Sequence, residues 1–367
     1  MQKQVSTIDP NRVRAARESA GLTKVQLANF LQVEPRTINT YENDGAPAKH
    51  ASSLAAATDR PQSFFTGSPF ELISLDDVYF RSAKKVSKKS KYESTSLGAI
   101  GMEFFEHFVK PYQLPQVDVP TFDNTEPQMA AQQLRILWGL GEQPLPNLVQ
   151  LFESRGIRVL SLPKAAEKLD AFSHWYPDGQ PYIFLKTSKT AERMRFDLAH
   201  ELGHLVLHSR GSYLAERDVE KEADRFASEF LMPARAIRAE MPRSAGLDSI
   251  FSLKKKFRVS AMAMNYRGGE LGILTEWGQR QNYVSLNKLG YKTGEPDGYK
   301  PDRSRVIPHI VADMREKGKS IAVLAATVGV TMQEVNGFTF GEVMAPIKSV
   351  ATSVEKSPAG RPALRVL

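Results

Sequence analysis

Residues 199–208 read Ala199-His200-Glu201-Leu202-Gly203-His204-Leu205-Val206-Leu207-His208, two histidines one helical turn apart with a glutamate directly after the first. At i and i+4 on a helix, the imidazoles of His200 and His204 point the same way and can share one ion. Leu198, Leu202, Leu205, Val206 and Leu207 make the helix apolar on nearly every side, which predicts burial in a domain core. Three polar, titratable groups are costly there without a partner. A Zn²⁺ ion would be that partner, with His200 and His204 as ligands and Glu201 as the general base that accepts a proton from the attacking water. His208 continues the i, i+4 series but lies about 12 Å along the axis from His200, too far for all three to hold one ion. It is read as a supporting or packing residue. The longer pattern His-Glu-x-x-His-x-x-Gly-x-x-His is absent, since Leu207 and Arg210 occupy its later positions. The third ligand therefore comes from elsewhere.

The next helical segment, expected from Glu216 to Leu231, contains Glu220-Lys-Glu-Ala-Asp224-Arg-Phe-Ala-Ser-Glu-Phe-Leu-Met-Pro233. At about 100° per residue its apolar stripe is Ala223, Phe226, Ala227, Phe230 and Leu231, with Glu220 and Asp224 near one edge. Glu222 lies about 200° from Glu220, so both cannot face the metal. Glu220 is the expected third ligand, and Asp224, one turn on, the expected acceptor for a histidine N–H.

The run from Arg193 to His208, followed by Glu-x-x-Ala-Asp-x-Phe-Ala and Leu-Met-Pro, resembles the ImmA/IrrE family of metallo-endopeptidases, from Leu134 to about Arg243. The resemblance implies a small gluzincin-like α+β core, a zinc ion held by His200, His204 and Glu220, Glu201 as general base, and a transcriptional repressor as substrate. In such a core the strand Tyr182–Leu185 would flank the cleft and align a substrate peptide by strand addition. For the oxyanion-stabilising group, Tyr213, His174 and Tyr176 are candidates only by nearness in sequence.

Further towards the N-terminus, Leu22 to Glu42 places Val25, Leu27, Ala28 and Leu31 on one helix, a short turn at Gln32-Val33, and a second helix whose Ile38 and Tyr41 face inward. This is helix–turn–helix spacing. The segment resembles the Xre/Cro family of phage-repressor-like domains from Asn11 to about Asp59. Gln32 stands where that family usually has glycine, and a left-handed residue there would cost about 1 kcal/mol. Arg36, Thr37, Asn39 and Thr40 remain outward, with Arg and Asn suited to guanine and adenine edges, while Lys24 and Gln26 suit phosphates. The resemblance implies a double-stranded DNA operator as partner, read by a homodimer over paired half-sites, although no dimer seam is visible. The competing reading is a small helical protein-interaction domain.

The 367 residues, 41% of them hydrophobic, allow two or three domains. The expected fold is α+β and predominantly helical: a helix-turn-helix domain at 1–70, a helical and extended linker at 71–127, the metallopeptidase domain at 128–245, a helical region at 246–344 and a disordered tail at 345–367. Strands are expected at Ile157–Leu160 and Pro181–Lys186, the segment from Leu75 to Lys110 reads as helical and polar, and no internal repeat is evident. Ile321 to Val335 superficially resembles a second helix–turn–helix but is not read as DNA-binding. The net charge of +8 and pI near 9.4 are compatible with nucleic acid. Arg81, Lys84, Lys85, Lys88, Lys89 and Lys91 form a basic run, read as a solvated face with phosphate contact as the alternative. The lack of cysteine excludes disulfides, thiol nucleophiles and cysteine-ligated zinc. With no signal-type segment and no apolar run near the roughly 20 residues of a membrane span, a cytoplasmic location without membrane contact is expected. Together these features suggest a DNA-binding zinc endopeptidase that cleaves a repressor or antitoxin-like protein in a stress or phage-related response. The alternative is a transcriptional regulator whose peptidase fold senses or dimerises without proteolysis.

Overall fold

Asp9 opens the first helix by accepting the Arg12 backbone N–H, and the chain then builds α1 (Pro10–Ser19), α2 (Lys24–Leu31), α3 (Pro35–Asp44) and α4 (Ala51–Thr58). A short antiparallel ladder, β1 (Thr7–Ile8) on β2 (Ala46–Pro47), ties the ends of this unit together. Gly21 (φ 65°) ends α1, and Thr23 starts α2 with a reciprocal capping box to Gln26. Gln32 is left-handed at φ 55°, the strained conformation its place in the turn demands. Leu27, Ala28, Ile38 and Tyr41 are buried as expected, but Val25 is 54% exposed. At about 100° per residue it lies about 200° from Leu27, so the two cannot share a face. The structure is a computed structural model that describes residues 7–75, 78, 87–163, 171–208 and 219–343. Tyr213, the tail from 345, and Arg81, Lys84 and Lys85 of the basic run lie outside those residues.

The segment expected to be helical and polar forms α5 (Lys88–Val109), but from Ser94 onward it is largely buried. Its small polar residues serve close packing rather than solvation. Ser96 donates to Glu18 of α1 at 2.8 Å, and methyl groups at positions 98 and 101 would come within 2.7 Å of the Phe172 ring and 2.9 Å of the Phe338 ring. Arg12 of α1, 1% exposed, reaches Glu103 of α5 through two hydrogen bonds of 3.2 and 2.5 Å. The proline-rich stretch after α5 is irregular, as expected, and leads to α6 (Pro127–Leu137) and α7 (Leu148–Ser154).

A three-stranded sheet follows, from β3 (Arg158–Ser161), β4 (Ala171–Trp175) and β5 (Pro181–Leu185), in the order β3-β5-β4. The strand at β4 is absent from the sequence reading. It pairs antiparallel with β5, while β3 pairs parallel on the other side. The expectation that Tyr182–Leu185 receives a substrate strand is therefore corrected: β5 is central and both of its edges are used. The edge beside the following helix belongs to β4. Of the two long helices that follow, α8 (Ala191–Leu207) packs on β4 and β5, and α9 (Val219–Leu231) packs on α8 and α6.

The remaining chain is helical, as expected: α10 (Ala234–Glu240), α11 (Leu247–Phe257), α12 (Ala261–Glu270), α13 (Glu276–Lys288), α14 (Val306–Glu316), α15 (Ile321–Val328) and α16 (Met332–Phe338). It is clamped onto the sheet unit by Asp302, which accepts from Arg195 at 2.5 Å, Arg258 at 3.0 Å and the Leu148 backbone N–H at 2.9 Å. Among the described residues no single helix is long and apolar enough to cross a membrane.

Contrary to the sequence reading, one arrangement occurs twice. Helices α14, α15 and α16 repeat α1, α2 and α3 at constant spacing: Gly318 (φ 64°) takes the place of Gly21, Ser320 caps where Thr23 does, and Gly329 (φ 83°) stands in the left-handed position of Gln32. Val335 and Phe338 are buried as Ile38 and Tyr41 are. Few identities survive because only the turn conformations and the inward positions are constrained. The third helices differ in surroundings. Arg36, Asn39 and Thr40 of α3 are exposed, whereas α16 is enclosed, with Phe338 on Gly101, Gly337 on Pro163 and Glu334 paired to Arg60 at 2.7 Å. The second copy is a packing element, and its third helix offers no face to a DNA groove.

Candidate metal centre

Helix α8 is capped by Thr190, whose hydroxyl accepts the Arg193 backbone N–H. Almost all of it is buried, with His200 and Glu201 fully so. Gly203 sets its distance to α9: a methyl group there would lie 3.2 Å from Ala223 Cα and 3.1 Å from the Phe226 ring. This close approach carries Glu220, in the first turn of α9, over the two histidines.

The Nε2 atoms of His200 and His204 stand 3.1 Å apart, and the Glu220 carboxylate is 3.6 Å from the first and 3.3 Å from the second. The three ligand atoms all lie within 4.8 Å of one another. Asp224 accepts from His200 Nδ1 at 2.9 Å, as expected. A carboxylate only accepts, so the proton is on Nδ1 and the Nε2 lone pair faces the cluster. Two ring nitrogens and a carboxylate converge at a distance that one shared cation would satisfy. Two imidazoles and one carboxylate without sulfur are a donor set suited to zinc. The residues present therefore fit the metal.

Glu201 sits beside this cluster. Burial pushes its carboxyl up to about 7, against the opposing pull of His200 and of the Ser173 hydrogen bond. Burial lowers His204 to about 3, which keeps the ring neutral. Burial would raise Glu220, but the adjoining His200 and His204 rings outweigh it and hold the carboxyl below the usual range. Ser173, on the unanticipated strand β4, donates to Glu201 Oε2 at 2.8 Å, while Oε1 is buried with no hydrogen-bond partner among the described residues. One oxygen is thus fixed and the other free to take a proton. The sequence signal for Ser173 is weak, a single hydroxyl in the five-residue alternation Ala171-Phe-Ser-His-Trp175.

The same alternation disposes of one oxyanion candidate. His174 shares a strand face with Phe172, which packs on α5, and so points away from the face that carries Ser173. Tyr176 packs edge-on against Tyr182, and burial followed by its hydrogen bond to Glu71 raises its hydroxyl to about 12. Neither is brought to Glu201. The predicted DNA-facing residues lie on α3: Arg36, Asn39 and Thr40 are exposed, Thr37 is half-buried, and Asn39 accepts from Lys24 at 2.6 Å. A cavity of about 780 Å³ begins at Asp224 and runs between α8, α9 and α12, lined by Phe196, Ser228, Met232, Met262 and Tyr283.

Residues 152–268 match the peptidase M78 family, described as the IrrE N-terminal-like domain. The matched IrrE-like segment runs from α7 to α12 and contains the sheet, the His200, Glu201 and His204 cluster, and Glu220. The segment is thus similar to a family of metallopeptidase type. No curated protein matches the chain.

Proposed function

We propose that this chain is a DNA-binding, zinc-dependent metallo-endopeptidase that cleaves a repressor or antitoxin-like protein and so controls transcription. The observation that carries the reading is the convergence of His200, His204 and Glu220 on one point, beside a buried carboxylate with one free oxygen. When bound, zinc supplies Lewis-acid polarisation of the scissile carbonyl and lowers the pKa of the attacking water. Glu201 accepts that water's proton on Oε1 and returns it to the leaving amine, held in orientation by Ser173. The substrate strand adds to the edge of β4, the strand that carries Ser173. A cavity of about 780 Å³ beside Asp224 falls within the roughly 300–1,000 Å³ of ordinary ligand pockets and has room for a substrate side chain.

The purified protein should hold about one Zn²⁺ per chain and cut a transcriptional regulator encoded beside it, with mass spectrometry of fragments showing a discrete cleavage that chelation stops. Glu220→Gln should lose the metal. Full zinc content in Glu220→Gln would transfer the ligand role to another residue, and uncut regulators with fully loaded protein would reject proteolysis.

The N-terminal unit supplies the DNA reading, supported by the exposed Arg36, Asn39 and Thr40 on α3 and by Lys89, which would lie 3.7 Å from a methyl group placed on Gly21. Arg36→Ala and Asn39→Ala should each weaken operator binding by about 1 to 3 kcal/mol if they make bidentate base contacts. Mobility-shift titration at fixed salt measures this. Unchanged affinity in both variants would favour a protein-interaction role for the unit.

A further inference from the structure

His208 closes α8, is buried, and lies beside His204 with their Nδ1 atoms 3.1 Å apart. Its other nitrogen, Nε2, is 3.0 Å from Glu222 Oε2. Neither His208 nor Glu222 belongs to the ligand set, and by helical phase Glu222 points away from the metal. The two contacts nevertheless order the protons along a line. An ionised carboxylate only accepts, so His208 Nε2 carries a proton and donates it to Glu222. A neutral His208 then has a lone pair on Nδ1, which accepts from His204 Nδ1. His204, donating from Nδ1, is left with its lone pair on Nε2, facing Glu220 and His200.

We propose that Glu222 and His208 act as a two-residue proton-ordering chain that locks His204 in the tautomer able to ligate metal. His200 reaches the same state in one step, through Asp224. The site thus has a short support on its solvent side and a longer one at the buried end of α8. His208 is a positioning residue: at about 12 Å along the helix from His200 it cannot join the ligands, but it decides which nitrogen of His204 is free. The proposal rests on the metal-site reading above and is independent of any proteolytic activity.

The test compares His208→Gln with His208→Leu in the full-length chain. The glutamine amide can accept from His204 and donate to Glu222, so it preserves the proton order, whereas leucine removes both contacts. Two-bond ¹H–¹⁵N spectra of the metal-free protein report the tautomer of His204 directly. Wild type and His208→Gln should show the Nδ1–H form, and His208→Leu should shift towards Nε2–H. In chelator competition, Zn²⁺ should bind His208→Leu about 10- to 100-fold more weakly than wild type, with His208→Gln recovering most of the loss. If His208→Leu does not fold by circular dichroism, Glu222→Leu, at a side chain 22% exposed, carries the same expectation. Glu222→Gln stays mild, since an amide still accepts. An unchanged His204 tautomer with wild-type zinc affinity in the leucine variants overturns the proposal. A protein that binds no zinc but shows the tautomer change loses the metal-site reading and keeps the proton order.

Discussion

Glu201→Gln is expected to bind zinc and operator DNA as wild type does while cleaving its protein substrate about 10²- to 10⁴-fold more slowly, the usual contribution of a general acid–base. The amide fills the same space and can keep the 2.8 Å contact with Ser173, so the local packing should survive. It cannot accept a proton on the free oxygen, so the attacking water is not activated and the leaving amine is not protonated. Fragment yield over time, with zinc content measured on the same samples, checks this. The variant also separates the two functional readings. If Glu201→Gln controls its promoter as wild type does under the signal that activates wild type, proteolysis is not the output, and the peptidase fold serves as a sensing or dimerisation module.

The second large effect concerns stability. Arg12 is buried, bonded to Glu103 through both terminal nitrogens and to the Ser68 carbonyl through Nε at 2.8 Å, with Phe64 and Phe70 rings 5.0 and 5.1 Å from its guanidinium carbon. Arg12→Met leaves the Glu103 carboxylate without its partner in a largely apolar setting, and removing one member of a buried pair costs about 3 to 5 kcal/mol. The denaturation midpoint should fall accordingly. The double variant Arg12→Met with Glu103→Met should recover a large part of the loss, because the desolvated charge goes with its partner. Additive losses from the two single changes would show that the ion pair contributes little and that Arg12 acts through its ring contacts.

The parts of this protein legible in its sequence are those governed by local periodicity. The i, i+4 spacing of His200 and His204 places them together wherever the helix goes, and the apolar stripe from Ala223 to Leu231 is buried as helical phase requires. Glu220 and Asp224 occupy the positions anticipated from their edge of that stripe. What escaped depends on contacts distant in sequence. Ser173 gains its role only when β4 is laid against α8, and five residues of alternation seldom announce a strand. The order β3-β5-β4 is a tertiary fact, so the sequence does not reveal that Tyr182–Leu185 is a central strand with both edges paired. Ser96, Gly98 and Gly101 sit in a segment that looks like a polar surface in composition, yet they are small because Glu18, Phe172 and Phe338 need room. The duplicated three-helix unit shows in sequence only as a superficial likeness at Ile321 to Val335, because its shared features are left-handed turns and caps, which Gln32 and Gly329 satisfy with different side chains.

Helix α5 touches the N-terminal unit through Glu103 and Ser96, the sheet through Gly98 and through Glu106, which accepts from Tyr182, and the duplicated unit through Gly101. Among the described residues, one rod thus contacts both the unit that carries Arg36 and the sheet beneath the helix that carries His200. If an operator on that unit changes the affinity for a peptide at β4 by some factor, the peptide must change the affinity for the operator by the same factor, since linkage between equilibria is reciprocal. The regulator would then meet its target with an affinity that depends on whether it is seated on its promoter.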